Sequence, residues 1–231
     1  MHAPISAAAA LLAGLAIGAA QAAPPVQDTL AQRAKACTLC HGQQGRAAAD
    51  GYYPRLAGKP QGYLHQQLLA FRDGRRQYGP MSELIAPLSD AYLHELAGYF
   101  AALDLPYDRP QPASLPPAEL ARAQALLFKG DGSRHLPACA ACHGENLAGA
   151  RPFIPGLLGL PRDYLNGQLG AWRSGQRSAT APDCMAQIAR KLLPAEINAI
   201  SQWLAAQPVP PGYKPAASLP AELPLSCGGL R

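Results

Sequence analysis

Cys37-Thr38-Leu39-Cys40-His41 and Cys139-Ala140-Ala141-Cys142-His143 are two copies of one pattern, C-x-x-C-H, in a chain of 231 residues. The spacing carries its own chemistry. Two thiols three positions apart on one helical turn reach the two vinyl groups of a single porphyrin, and the adjacent imidazole then falls under the iron. A lone C-x-x-C also suits a zinc knuckle or a redox dithiol. A zinc ribbon brings its second pair back within about 15–20 residues. Here the first cysteines of the two pairs stand 102 positions apart and both pairs end in His. The expectation is two covalently bound haem c groups, attached through Cys37 and Cys40 and through Cys139 and Cys142, with His41 and His143 as iron ligands.

A six-coordinate iron needs a second axial group. Apart from Met1 the chain has two methionines, Met81 and Met185, one after each motif. Methionine is more often an adaptable core filler than a ligand. Each of these, however, is expected in an irregular Gly/Pro-bearing loop before the last helix of its repeat, and both are taken as ligands. His65 and His94 have Asn166 and Asn198 as counterparts, so a bis-His scheme could serve one site at most; both are expected on helix surfaces. His135 is expected on a loop near a haem edge. Thioether is a soft donor that favours ferrous iron. With both axial positions filled, neither iron has room for a substrate, and the pair carries electrons without being an enzyme.

Two cysteines remain, Cys184 and Cys227. An even remainder in an exported chain reads as one disulfide, tying a Pro-rich tail back over the Met185 loop. Cys184 directly precedes Met185, which leaves thiolate ligation, with a lower potential and sulfur chemistry, as the alternative.

The elements that must position these groups are helical. Residues 26–36 read as a helix delivering Cys37, with loop residues Gly42, Gly45, Asp50, Gly51 and Pro54 after His41. Residues 62–73 form an amphipathic helix stopped by Gly74, and Ser89-Asp90 opens another carrying Leu93, Leu96, Ala97, Phe100 and Leu103. The second half repeats the plan with helices over 117–128, 163–174 and 194–206. Pro54, Leu56, Gly58, Pro60, Tyr63, Leu64, Gln67 and Leu68 return 101 positions later as Pro155, Leu157, Gly159, Pro161, Tyr164, Leu165, Gln168 and Leu169. A repeat of that length is a duplicated domain, too long for a solenoid unit. The division is a signal peptide (1–23), a first domain (24–104), a linker (105–117), a second domain (118–207) and a tail (208–231).

Composition agrees. Charged residues are 15% and aromatics 6%, with 24 Pro and 22 Gly, a thin core for two domains of about 100 residues that buried porphyrins would complete. The first 23 residues carry no charged side chain, and an apolar run ends at Ala20-Gln21-Ala22, a secretory signal cleaved after Ala22 or Ala23. The run is shorter than the ~20 residues a bilayer core needs, so no stable membrane span is expected. Net charge is +5: residues 24–110 hold nine Lys/Arg against eight Asp/Glu, and 111–231 hold eleven against seven. No basic stripe with interleaved aromatics is present, which excludes nucleic acid as a partner. The excess suits haem propionates and a protein partner.

These residues resemble the dihaem class I cytochromes c of the cytochrome c4 type over about residues 34–206. The resemblance rests on CTLCHG and PACAACHG, on the two P-x-L-x-G-x-P-x-x-Y-L-x-x-Q-L runs, on FRDGRR and WRSGQR, and on the methionine before each final helix. It implies an all-α fold of two tandem cytochrome c domains facing each other across an interface that holds the propionates, and periplasmic electron transfer towards a terminal oxidase. It also implies that the carbonyls of Pro54 and Pro155 accept the hydrogen bonds of His41 and His143. Cys184, the bulky stretch 153–160 and the tail depart from that pattern and resemble the cytochrome subunits of periplasmic dehydrogenases. Three functions follow: a respiratory carrier between a quinol-oxidising complex and an oxidase, the acceptor subunit of a dehydrogenase, and a sulfur- or peroxide-oxidising haem enzyme at the second site.

Overall fold

The structure, a computed structural model, describes residues 27–47 and 51–230. The expected signal and its cleavage point, together with Val26 and Asp50, lie outside them. Among the described residues there is no β-strand and no helix long and apolar enough to cross a membrane.

The first half runs α1 (Leu30–Arg33), α2 (Lys35–His41), α3 (Gln61–Arg72), α4 (Gly79–Ile85) and α5 (Asp90–Ala102). The helix expected over 26–36 begins at Leu30 instead, where the Thr29 hydroxyl accepts the Gln32 N–H at 3.2 Å. It then breaks at Ala34 and re-forms as α2, which contains the whole first motif. No breaker intervenes until Gly42, whose φ of 73° ends α2. α3 packs on α5, and Leu93, Leu96, Ala97 and Phe100 form the buried stripe of α5.

The second half repeats this with α6 (Pro117–Phe128), α7 (Ala140–His143), α8 (Arg162–Ser174), α9 (Cys184–Lys191) and α10 (Pro194–Ala206). α6 and α8 pack on α10 around Leu127, Leu147, Leu165, Ile200 and Leu204. Gly175, in the left-handed region, closes α8. The two methionines do not stand in irregular loops. Met81 lies in α4 and Met185 in α9. Pro80 pre-sets the first turn of α4. The Asp183 carboxylate caps α9 by accepting the N–H of Ala186 at 3.0 Å.

Residues 103–116 carry no regular structure but are held at both ends. Arg55 donates to the carbonyls of Leu105 (2.5 Å) and Pro106 (2.8 Å), while Gln111 N–H donates to Ala205 O at 2.8 Å. The halves meet closely. A Cβ on Gly62 would lie 2.7 Å from the Phe153 ring, and Tyr63 N–H donates to Pro152 O at 3.0 Å.

Glu196, in the first turn of α10, is the buried carboxylate of the second half. Burial opposes its charge, but hydrogen bonds from Arg134, the Leu193 N–H and Arg122 outweigh it and bring the carboxyl to about 2. A depressed folded-state pKa contributes stability that is complete above the unfolded value of 4.5 and is lost as pH falls towards 2. Urea midpoints should therefore drop between those limits, and Glu196→Gln should flatten that slope and lower the midpoint at neutral pH, a loss of about 1–3 kcal/mol.

Candidate functional site

In α2 the thiols of Cys37 and Cys40 and the imidazole of His41 share one helical face. His41 is buried, and its Nδ1 stands 2.9 Å from the carbonyl oxygen of Pro54. His143 is buried in the same way, with Nδ1 2.8 Å from Pro155 O. An Nδ1–H donated to a carbonyl fixes the tautomer in which Nε2 carries the lone pair. Burial holds the His143 ring below its ordinary pKa, so it stays neutral and able to ligate. Burial also pushes the thiols of Cys37 and Cys142 up, and that of Cys139 to about 11. These are not the low-pKa thiolates of a redox dithiol. Among the described residues no cluster of three or more His, Cys, Asp or Glu could hold a metal by itself.

Both triplets open into one cavity of about 740 Å³ that Met81 and Met185 also line. Its walls are apolar: Leu64, Leu68, Phe71 and Leu96 in the first half, and Leu157, Leu165, Ile188 and Ile200 in the second. The donor set and the apolar lining fit a porphyrin at each motif. A second fit comes from charge. Arg55, Lys59, Arg76 and Arg177 are 3%, 5%, 8% and 4% exposed, all line the cavity, and none takes part in an ion pair among the described residues. Buried cations without an anion cost several kcal/mol each; propionate carboxylates would supply the missing charge.

Two of these cations form the centre of the seam. Arg76 and Arg177 pair through an isolated antiparallel bridge. Arg76 donates to Gln67 Oε1 (3.1 Å), Gln168 Oε1 (2.7 Å) and the Tyr164 hydroxyl (3.0 Å). Arg177 donates to the same two amides at 2.6 and 2.8 Å and to the Tyr63 hydroxyl at 3.4 Å. Each guanidinium also lies over an aromatic ring, Arg76 on Phe71 at 4.4 Å and Arg177 on Trp172 at 3.7 Å. Burial, with Arg76 beside it, pushes Arg177 below its ordinary range.

The sequence reading places Tyr63, Gln67, Tyr164 and Gln168 in the repeat but misses what they hold. The signal is present: Arg76 and Arg177 keep the same offset of 101 as the glutamines. It also misses Lys59 and the tyrosine group at the first site, where the Tyr53 and Tyr78 hydroxyls are 3.0 Å apart and the Tyr53 ring meets His41 at 6.0 Å. His135 is exposed, takes a left-handed φ of 49° and does not line the cavity, although Pro137 and Ala138, two and three positions on, do. His94 is exposed, whereas His65 is half-buried against it, its ring 5.1 Å from that of His94.

Cys184 and Cys227 are joined in a disulfide with Cα atoms 5.4 Å apart. Leu223 and Leu225 of the tail point to the cavity, while Glu222, Pro224 and Ser226 are exposed. Upstream, the Tyr213 hydroxyl donates to Leu147 O and accepts the Leu158 N–H at 2.9 Å.

Two helical domains, each presenting a C-x-x-C-H helix and a methionine to a shared apolar cavity, define a class I c-type cytochrome doubled within one chain. No family model matches the sequence. It is 37% identical over 190 residues to the thiosulfate dehydrogenase electron acceptor of Thiomonas intermedia, covering 82% of this chain and 87% of that one. To cytochrome c4 of Pseudomonas aeruginosa it is 33% identical over 194 residues, covering 82% and 94%. The crystal structure of reduced cytochrome c4 from Pseudomonas stutzeri matches with a TM-score of 0.66 and 28% identity over 77% of this chain and 96% of that one. The thiosulfate dehydrogenase TsdBA of Marichromatium purpuratum matches with a TM-score of 0.67 and 34% identity over 74% of this chain, which spans 36% of that longer protein. The chain belongs to the cytochrome c4 family and is a dihaem electron-transfer cytochrome.

If the disulfide holds the tail on the second site, Cys227→Ser should leave both C-x-x-C-H sites intact but free residues 221–230. A disulfide lost from such a loop removes about 2–4 kcal/mol of constraint. Cleavage by a glutamate-specific protease after Glu222 should accelerate at least about tenfold, read by mass spectrometry.

Proposed function

We propose that the chain is an exported, periplasmic carrier that takes single electrons from a dehydrogenase acting on a reduced sulfur compound and passes them to a terminal oxidase. In this reading residues 1–23 are the export signal, 24–104 and 118–207 the two haem domains, 105–117 the linker and 208–231 the tail. Covalent haem c at each site supplies a one-electron Fe(III)/Fe(II) couple. Cys37 and Cys40 anchor the first porphyrin, and Cys139 and Cys142 the second. His41 and Met81 fill one pair of axial positions, His143 and Met185 the other. The carbonyls of Pro54 and Pro155 keep each imidazole in the ligating tautomer.

The observation that carries the reading is that both motifs and both methionines line one apolar cavity with buried cations at its centre. Two redox centres in one cavity would exchange electrons with each other, and the doubled chain would offer a partner two one-electron acceptors. The choice of donor rests on the relatives named as thiosulfate dehydrogenase electron acceptors in Thiomonas intermedia and Stutzerimonas stutzeri. The third function, oxidation of a sulfur compound or peroxide at the second site, needs Cys184 ligation or an open site; the bond of Cys184 to Cys227 speaks against the first, and Met185 lining the cavity against the second. A quinol-oxidising complex as donor has no observation in its favour beyond the family's general role.

The test uses the purified full-length protein. It should contain two haems per chain by pyridine haemochrome and be reduced by thiosulfate only when a thiosulfate dehydrogenase is present. Direct reduction by thiosulfate, or no acceleration by the dehydrogenase, overturns the proposed donor. Met81→Ala should keep both haems attached and raise carbon monoxide binding from negligible to one equivalent per chain. Unchanged ligand binding refutes Met81 as a ligand.

A further inference from the structure

Lys59 belongs to the first half but ends in the second. Its ammonium donates to the carbonyl oxygen of Gly156 at 2.6 Å. The preceding carbonyl, that of Pro155, is the one that accepts from His143 Nδ1 at 2.8 Å. Adjacent carbonyls of one loop therefore hold the second site's imidazole and the first half's cation. Lys59 is buried and has no ion-pair partner among the described residues. Burial, and then the Arg55 guanidinium held nearby by the carbonyls of Ala57, Leu105 and Pro106, bring Lys59 down to about 7, so its charge is complete only below that pH.

The reverse contact does not exist. The counterpart of Lys59 at the shared offset of 101 is Leu160, and that of Arg55 is Gly156. The seam is two-fold at Arg76 and Arg177 but carries an extra pair of cations from one side only.

We propose that Lys59 is a positioning residue acting across the domain seam: its ammonium, fixed on the Gly156 carbonyl, raises the reduction potential of the second site selectively over the first. A positive charge beside the proximal imidazole disfavours the ferric state, which carries one more unit of charge than the ferrous. At an effective dielectric of about 20, one charge about 12 Å from the iron changes such an equilibrium by about tenfold, which is 59 mV for one electron. That contribution favours the second site as the resting place of an electron that enters through either half.

The inference rests on the proposed ligands, and the experiment separates the two. In a Met81→His background only His143 and Met185 retain a His/Met pair, so the thioether-to-iron charge-transfer band follows the second site alone. Lys59→Leu, which copies Leu160, and Lys59→Gln are titrated potentiometrically at pH 6, where Lys59 is charged, in that background and, as a control, in Met185→His, where the band follows the first. We expect the second site's potential to fall by about 59 mV in both variants, the first site's to stay where it was, and Lys59→Arg to restore most of the difference. Two haems per chain with an unmoved second potential, or with the first potential moving instead, overturns the role of Lys59 and leaves the ligand assignment standing. Fewer than two haems, or no charge-transfer band in either background, overturns both. Should Lys59→Leu fail to accumulate, the Gln and Arg pair carries the same comparison.

Discussion

A cation taken out of water must find a negative charge or cost the fold several kcal/mol. This chain takes four out of water in a single seam and sets no carboxylate of its own within ion-pair reach among the described residues. The amides of Gln67 and Gln168 and the hydroxyls of Tyr63 and Tyr164 hold the central guanidiniums in place without neutralising them. The polypeptide is therefore electrostatically incomplete at its centre. A haem would bring a pair of propionate carboxylates, and the cavity that gives these cations no ion-pair partner is lined by the motifs that would attach haem. Bound there, the cofactors would tie domain pairing to their own presence. The anions that settle the arginines would belong to the groups that fill the cavity.

Much of this was legible in the sequence because the chemistry is local there. The five residues of each C-x-x-C-H run need only one helical turn to bring thiols and imidazole together, and each run closes a short helix whose last residue, His41 or His143, is buried. Helices over 117–128 and 194–206 follow from proline at the start and an apolar stripe, and their bounds agree with Pro117–Phe128 and Pro194–Ala206. The methionine segments were read as loops because Gly79, Pro80 and Pro182 look like breakers. Pro80, placed in the first turn, instead starts α4, and the Asp183 cap starts α9. What the sequence could not show was pairing at a distance. Arg76 against Gln168 and Lys59 against Gly156 join residues about a hundred positions apart. Nothing in a lysine flanked by Gly and Pro announces that it crosses into the neighbouring domain.

The two sites are alike in the cysteines, histidine and methionine they present and unlike in their surroundings. The first has three tyrosines, Tyr52, Tyr53 and Tyr78, packed edge-on near His41. Exposed Leu39 and Leu84 lie beside it. The second has Ala141 and half-buried Ile188 at those positions, and a disulfide-tethered strap whose leucines alternate inward. The departures noted in the sequence, Cys184, residues 153–160 and the tail, all fall on this second half. Phe153 packs on Gly62 and Gly156 accepts from Lys59, so the unusual stretch forms the face that meets the first domain.

The antiparallel pairing of Arg76 with Arg177, each reaching the glutamine and tyrosine of the opposite half, is the geometry of an isologous contact. In a homodimer of single-domain subunits every substitution in such a contact is made twice, so neither copy can be changed without changing the other. Joining the copies end to end through residues 103–116 removes that restriction while leaving the arginine centre as it was. Lysine can then occupy one position and leucine its twin. A protein built this way can acquire direction, an inside and an outside for its electrons, one codon at a time.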